Sequence, residues 1–268
     1  MTSTVTTAMA GWLVAGAMMF ALDQARAAPA DACAAPAALG RLTDALPRTR
    51  AALASGKPFR IIALGSSSTG GAGASAARYS YPSRLAVELS AREPDASLEI
   101  INRGVNGEDV WENDKRLDTD VIADKPDLVI WQIGTNAVLH DIDYDDFDRT
   151  AQDGIDRMRA AGIEILLMDL QYTPRVTEVP GHERMLQHID ALGARNRIPV
   201  FHRYAVMKFW ADAMKTDYVT MVSSDGLHMD DKSYGCLAER LADAIVDATP
   251  VDDPRRARTL SSSALTTH

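Results

Sequence analysis

Phe59-Arg60-Ile61-Ile62-Ala63-Leu64, followed at once by Gly65-Ser66-Ser67-Ser68-Thr69-Gly70-Gly71-Ala72-Gly73, decides the fold class of this 268-residue chain. The first six residues are a short apolar run of the kind that fills a strand buried on both faces of a parallel sheet. The next nine are a Gly/Ser loop. Working outward, further apolar runs stand at 98–101, 128–133, 163–170 and 198–201. Stretches with helical apolar spacing alternate with them, at 81–92, 147–161, 183–195 and 204–214, and 233–248 closes the series. Leu85 and Leu89 are four apart, and Ile155 and Met158 are three apart just before Gly162. Strand and helix alternating five times predict a doubly wound α/β sandwich. In such a fold the chemistry belongs in the loops beyond the carboxyl ends of the strands.

The flanks read differently. Residues 1–27 combine an uncharged run at 8–22 with Ala25-Arg26-Ala27, a small-x-small cleavage pattern, and predict a secretory signal peptide. The n-region lacks Lys and Arg, so an uncleaved anchor is the rival. Residues 28–57 form an N-terminal extension with helical spacing at 39–53, residues 58–249 the domain, and the polar stretch 250–268 a disordered tail. The two cysteines, Cys33 and Cys236, are expected to pair in an oxidising compartment. A formal net charge of −9 argues against nucleic acid as a partner and against an obligatory membrane contact.

Four loops carry chemistry-bearing residues. The Gly65–Gly73 loop fails as a phosphate cradle because Gly71 stands where the lysine is needed. It fails as a dinucleotide fingerprint because Gly71-Ala72-Gly73-Ala74-Ser75-Ala76 begins too far past the strand end to place a phosphate on a helix N-terminus. The second loop is Asn102-Arg103-Gly104-Val105-Asn106-Gly107-Glu108, the third Gly134-Thr135-Asn136 and the fourth Asp225-Gly226-Leu227-His228. Each alone is compatible with a turn or a cap. An Asn at 136 is a good turn former, and Asp225 is spaced to reach His228 across one turn. His140, His182, His188 and His202 lack zinc-ligand spacing and read as surface or satisfied histidines, so neither metal nor cofactor is expected.

Together, Ser67, Gly107, Asn136 and the Asp225/His228 pair stand in the chain order and loop positions of the SGNH (GDSL-like) hydrolase superfamily, which residues 58–248 resemble. The resemblance implies a three-layer α/β/α sandwich with a flavodoxin-like five-stranded parallel sheet. It implies a catalytic triad of Ser67, His228 and Asp225, and an oxyanion hole formed by the Ser67 and Gly107 amides and the Asn136 side chain. Two positions depart from the common pattern: Ser66 replaces an aspartate before the nucleophile, and Ala137 follows Asn136 where an aspartate is usual. Ser66 and Ser68 remain rivals to Ser67 as the reactive hydroxyl.

The residue types suit acyl transfer. A serine hydroxyl needs a base to take its proton, and histidine titrates in the range that allows it. An aspartate holds the ring's tautomer and stabilises the imidazolium. Fixed N–H donors meet the charge that gathers on the acyl oxygen. The chain has no Gly-x-Ser-x-Gly elbow, which disfavours the α/β-hydrolase fold. The expectation is an exported serine hydrolase of carboxylic esters, acting on a small-molecule, carbohydrate or lipid ester. An acyltransferase on the same triad and a non-catalytic carbohydrate-binding module are the alternatives.

Overall fold

The computed structural model describes Met1 and residues 33–248. The expected signal peptide, Met1 aside, and the tail at 250–268 lie outside the described residues. The elements run α1 (Ala37–Gly40), α2 (Pro47–Ala54), β1 (Phe59–Gly65), α3 (Ser67–Gly70), α4 (Tyr81–Arg92), β2 (Leu98–Gly104), α5 (Val110–Lys115) and α6 (Leu117–Asp120). They continue as β3 (Leu128–Gln132), α7 (Thr135–Leu139), α8 (Tyr144–Ala160), β4 (Glu164–Met168), α9 (Pro174–Thr177), α10 (His182–Asn196), β5 (Val200–Phe201), α11 (Arg203–Met214) and α12 (Asp231–Ala248).

The five strands form one sheet in the order β2-β1-β3-β4-β5, and every pairing is parallel. This is the flavodoxin-like order, whose direction reverses between β1 and β3. Period-two alternation sends Phe59, Ile61 and Ala63 to one face, against α4, α11 and α12, and Ile62 and Leu64 to the other, against α5, α8 and α10. The result is three layers. Ile61, Ile62 and Leu64 are fully buried, each worth about 1.5–3 kcal/mol of apolar transfer.

Four expectations need correction. The helix expected at 39–53 is two pieces, α1 and α2, with Arg41 extended between them. Pro47 at the start of α2 has no N–H to donate and disfavours a helical Leu46, so no helix crosses it. β2 extends to Gly104 and is an edge strand with half-exposed residues, not a strand buried on both faces. β4 and β5 are shorter than their apolar runs. Finally, α8 begins at Tyr144, because the Asp143 carboxylate accepts the Asp146 N–H at 2.9 Å and caps it.

Cys33 and Cys236 form a disulfide, with Cα atoms 4.8 Å apart across a sequence separation of 203. It fastens the segment before α1 to α12. Among the described residues, no helix is long and apolar enough to cross a membrane.

Candidate active site

β1 delivers the Ser-rich loop to the carboxyl edge of the sheet, beside the point where strand order reverses. The chain turns into α3, where the Ser66 carbonyl accepts the Thr69 and Gly70 N–H groups and the Ser67 carbonyl accepts those of Gly71 and Ala72. Ser67 is the first residue of this turn, 8% exposed. Gly104, at the end of β2, lies so close beneath that a Cβ there would meet Gly70 N at 2.1 Å. Only glycine lets the strand end touch the turn this closely.

The Asp225/His228 loop is pinched at its base by an antiparallel bridge between Val222 and Met229, and the Ser223 N–H donates to the His228 carbonyl at 2.7 Å. Within it, one Asp225 oxygen accepts the Leu227 and His228 amides at 2.9 Å each, and the other lies 2.5 Å from His228 Nδ1. Burial pushes the Asp225 carboxyl up, but the bonds from the His228 ring and the two amides outweigh it and hold the group at about 2. An ionised carboxylate on Nδ1 keeps the ring proton there and leaves Nε2 free to accept. His228 Nε2 lies 2.7 Å from Ser67 Oγ. Gly73 brings the two loops together: at φ +88, a Cβ would strike the Met229 carbonyl at 2.3 Å and His228 Cβ at 2.8 Å. Ser75 adds a tie, its N–H and hydroxyl both donating to the Asp231 carboxylate.

Asn136 is the second residue of α7 and 7% exposed. Its side chain caps no helix; Nδ2 donates to the Glu108 carbonyl at 2.6 Å. One of its two amide hydrogens thus fixes the carboxamide against the Gly107 loop. Gly107 itself is exposed in the turn that follows β2. Arg116 braces that turn, donating to the Glu108 carboxylate at 2.7 Å and to the Arg103 carbonyl at 2.8 Å. The structure therefore brings Ser67, His228 and Asp225 into one hydrogen-bonded line and ties Asn136 to the Gly107 loop.

Ser66 and Ser68, the rival serines, bond elsewhere. Both hydroxyls donate to Gln132 Oε1, at 2.9 and 3.1 Å. Arg203, fully buried at the start of α11, donates to Ser68 Oγ at 3.0 Å and to the Asp169 carbonyl at 2.7 Å. Gln132 and Arg203 were missed by sequence reasoning. The available signals were a polar residue inside the apolar run 128–133 and an arginine two residues after β5. The other histidines have partners of their own: His182 faces the Val179 carbonyl and the Tyr204 hydroxyl, His188 faces Asp148, and His202 faces Asp169. His140 lies 3.8 Å from Asp109.

The sequence profile of the non-GDSL lipase-like family matches residues 32–250. No curated protein matches the chain. Among solved structures, a two-domain esterase active on acetylated mannans aligns with a TM-score of 0.66 at 17% identity over 80% of this chain. This chain spans 57% of that protein's length. The acetyl xylan esterase AlAXEase aligns with a TM-score of 0.60 at 20% identity, over 70% of this chain and 100% of its own. Axe2, an acetylxylan esterase from Geobacillus stearothermophilus, aligns with a TM-score of 0.58 at 21% identity, over 70% and 94%. At these identities the likeness establishes a shared fold.

Proposed function

This chain belongs to the non-GDSL lipase-like family, within the SGNH/GDSL-like hydrolases, and we propose that it hydrolyses carboxylic esters through an acyl-serine intermediate on Ser67. The observation that carries this reading is the line Ser67 Oγ, His228 Nε2, His228 Nδ1, Asp225, with separations of 2.7 and 2.5 Å. His228 accepts the hydroxyl proton as Oγ attacks the acyl carbon, and Asp225 stabilises the imidazolium. The Ser67 and Gly107 amides and the second hydrogen of Asn136 Nδ2 meet the oxyanion. His228 then gives its proton to the departing alcohol, and a water repeats the sequence to release the acid. A pure binding module has no need of such a line.

The substrate we assign is an O-acyl group, acetyl above all, on a carbohydrate. Its support is the fold shared with esterases of acetylated mannan and xylan. Such polymers lie outside cells, and the Cys33–Cys236 bridge supports export. A fluorophosphonate probe should label the protein once, on Ser67, and Ser67→Ala should abolish labelling while Ser66→Ala and Ser68→Ala retain it. Across p-nitrophenyl esters, kcat/KM should peak at acetate, and acetylated xylan or mannan should release acetate. Labelling that survives in Ser67→Ala refutes the nucleophile; a maximum at long acyl chains refutes the substrate.

A further inference from the structure

The turn that carries Ser67 is held from beneath by one buried oxygen. Ser66 occupies the N-cap position of α3, where a short oxygen-bearing side chain ordinarily accepts from the first free amides of the helix. Here it makes no such bond. Gln132 Oε1 instead lies 2.9 Å from Ser66 Oγ, 3.0 Å from Ser66 N, 3.1 Å from Ser68 Oγ and 3.3 Å from Thr69 Oγ1. A backbone N–H can only donate, so the Gln132 atom facing Ser66 N is the oxygen. All four residues are 4% exposed or less. Arg203 grips the same layer, donating to Ser68 Oγ at 3.0 Å and to Thr135 Oγ1, beside Asn136, at 3.5 Å.

We propose that Gln132 is the positioning residue that selects which of the three consecutive serines faces His228. The inference rests on Ser67 being the nucleophile. Swinging Ser66 towards the histidine would break its hydroxyl's bond to Gln132, and swinging Ser68 would break the bonds to Gln132 and from Arg203, whereas the hydroxyl of Ser67 has no bond to lose there.

The test compares Gln132→Met, similar in length without a strong acceptor, with Gln132→Glu, which keeps an acceptor oxygen. Gln132→Met should lower kcat on p-nitrophenyl acetate on the order of 10²-fold with KM little changed, the scale set by misplacing a reacting group. Its fluorophosphonate labelling should slow in parallel. Gln132→Glu should recover most of kcat. A purely structural role would lower the melting temperature of both and leave the kcat of the folded protein intact, and wild-type kcat in folded Gln132→Met overturns the proposal. If Gln132→Met does not fold, the Ser66→Ala/Ser68→Ala double variant removes two donors from the other side. It should lose about tenfold or more in kcat by the same misplacement, and an unchanged kcat is equally fatal. Mapping the wild-type adduct keeps the two ideas apart: an adduct away from Ser67 refutes the nucleophile, whereas one on Ser67 with an unimpaired Gln132→Met refutes only the selector.

Discussion

Two of the aspartate–histidine pairs in this molecule look alike on paper and differ in everything that matters for chemistry. Asp225 and His228 sit three residues apart in one loop, and the aspartate side chain is 41% exposed yet held near pKa 2 by the His228 ring and two amides. Asp169 and His202 come from the ends of β4 and β5, and the Asp169 side chain is 3% exposed. Burial pushes Asp169 up, against the bonds from His202 and the Tyr204 amide. The decisive contrast is what the histidine faces. His228 turns Nε2 to a hydroxyl at 2.7 Å. His202 turns Nδ1 to two carboxylates, Asp169 at 3.3 Å and Asp190 of α10 at 3.6 Å. The first pair is the one we propose to carry a proton between Ser67 and the substrate; the second ties three elements together.

The sharpest way to break this comparison is to delete each ring. His228→Ala should lower kcat by about 10⁴-fold or more, the loss expected for a triad member, with little change in melting temperature. His202→Ala should do the reverse, losing stability and keeping kcat within a few-fold. Matching kcat losses in steady-state assays would erase the distinction.

The proposed oxyanion donor comes next. Asn136→Ala should lower kcat by about 10²–10³-fold with KM little changed, the cost of one lost donor. Asn136→Asp should be at least as damaging, because its carboxylate would face both the oxyanion and the Glu108 carbonyl that now accepts from Nδ2 at 2.6 Å. An Asp variant with wild-type kcat would remove Asn136 from the mechanism.

The disulfide acts on stability rather than rate. Cys236→Ser opens a loop with a sequence separation of 203 and should cost up to about 5 kcal/mol by the chain-entropy estimate. At room temperature the folded variant should keep its kcat, since the bridge joins the segment before α1 to α12 and supplies no group to the line from Ser67 to Asp225. Denaturant melts beside initial rates separate the two effects, and equal melts would show that the bridge constrains little.

The smallest effect is a pH slope. The bond to Asp169 raises the His202 pKa, opposed by burial. A raised folded pKa means the contribution is complete below the unfolded value of about 6.5 and is lost as pH rises through the folded value. The melting temperature of the wild type should therefore fall towards that of His202→Gln between about pH 6 and 8. A constant gap across that window would assign the stabilisation to packing alone.

The two pairs also mark how far the sequence could be read. Asp225-Gly226-Leu227-His228 is legible because both partners lie within one turn of chain. Asp169 and His202 are 33 residues apart, and nothing local links them. The same limit governs the fold. β1 and β3 were plain because their apolar runs are buried on both faces. The edge position of β2 was hidden, since exposure at an edge depends on which strands pair. The break at Pro47 was written in the chain, but the helical spacing around it masked it.

By itself the sequence determined the α/β alternation, the loops that carry chemistry and the order in which Ser67, Gly107, Asn136, Asp225 and His228 occur. The resemblance pointed to Ser67, but nothing in the residues themselves sets Ser66, Ser67 and Ser68 apart, because they are chemically identical. Only the tertiary structure separates them. Ser66 is extended at the N-cap whereas Ser67 and Ser68 lie in the turn, so the three hydroxyls do not share one direction. Ser66 and Ser68 turn to Gln132, and Ser67 to His228. Gln132 lies 66 residues from Ser66 along the chain, and His228 lies 161 from Ser67. A choice made by partners that distant exists only once the sheet has assembled and brought them to one edge.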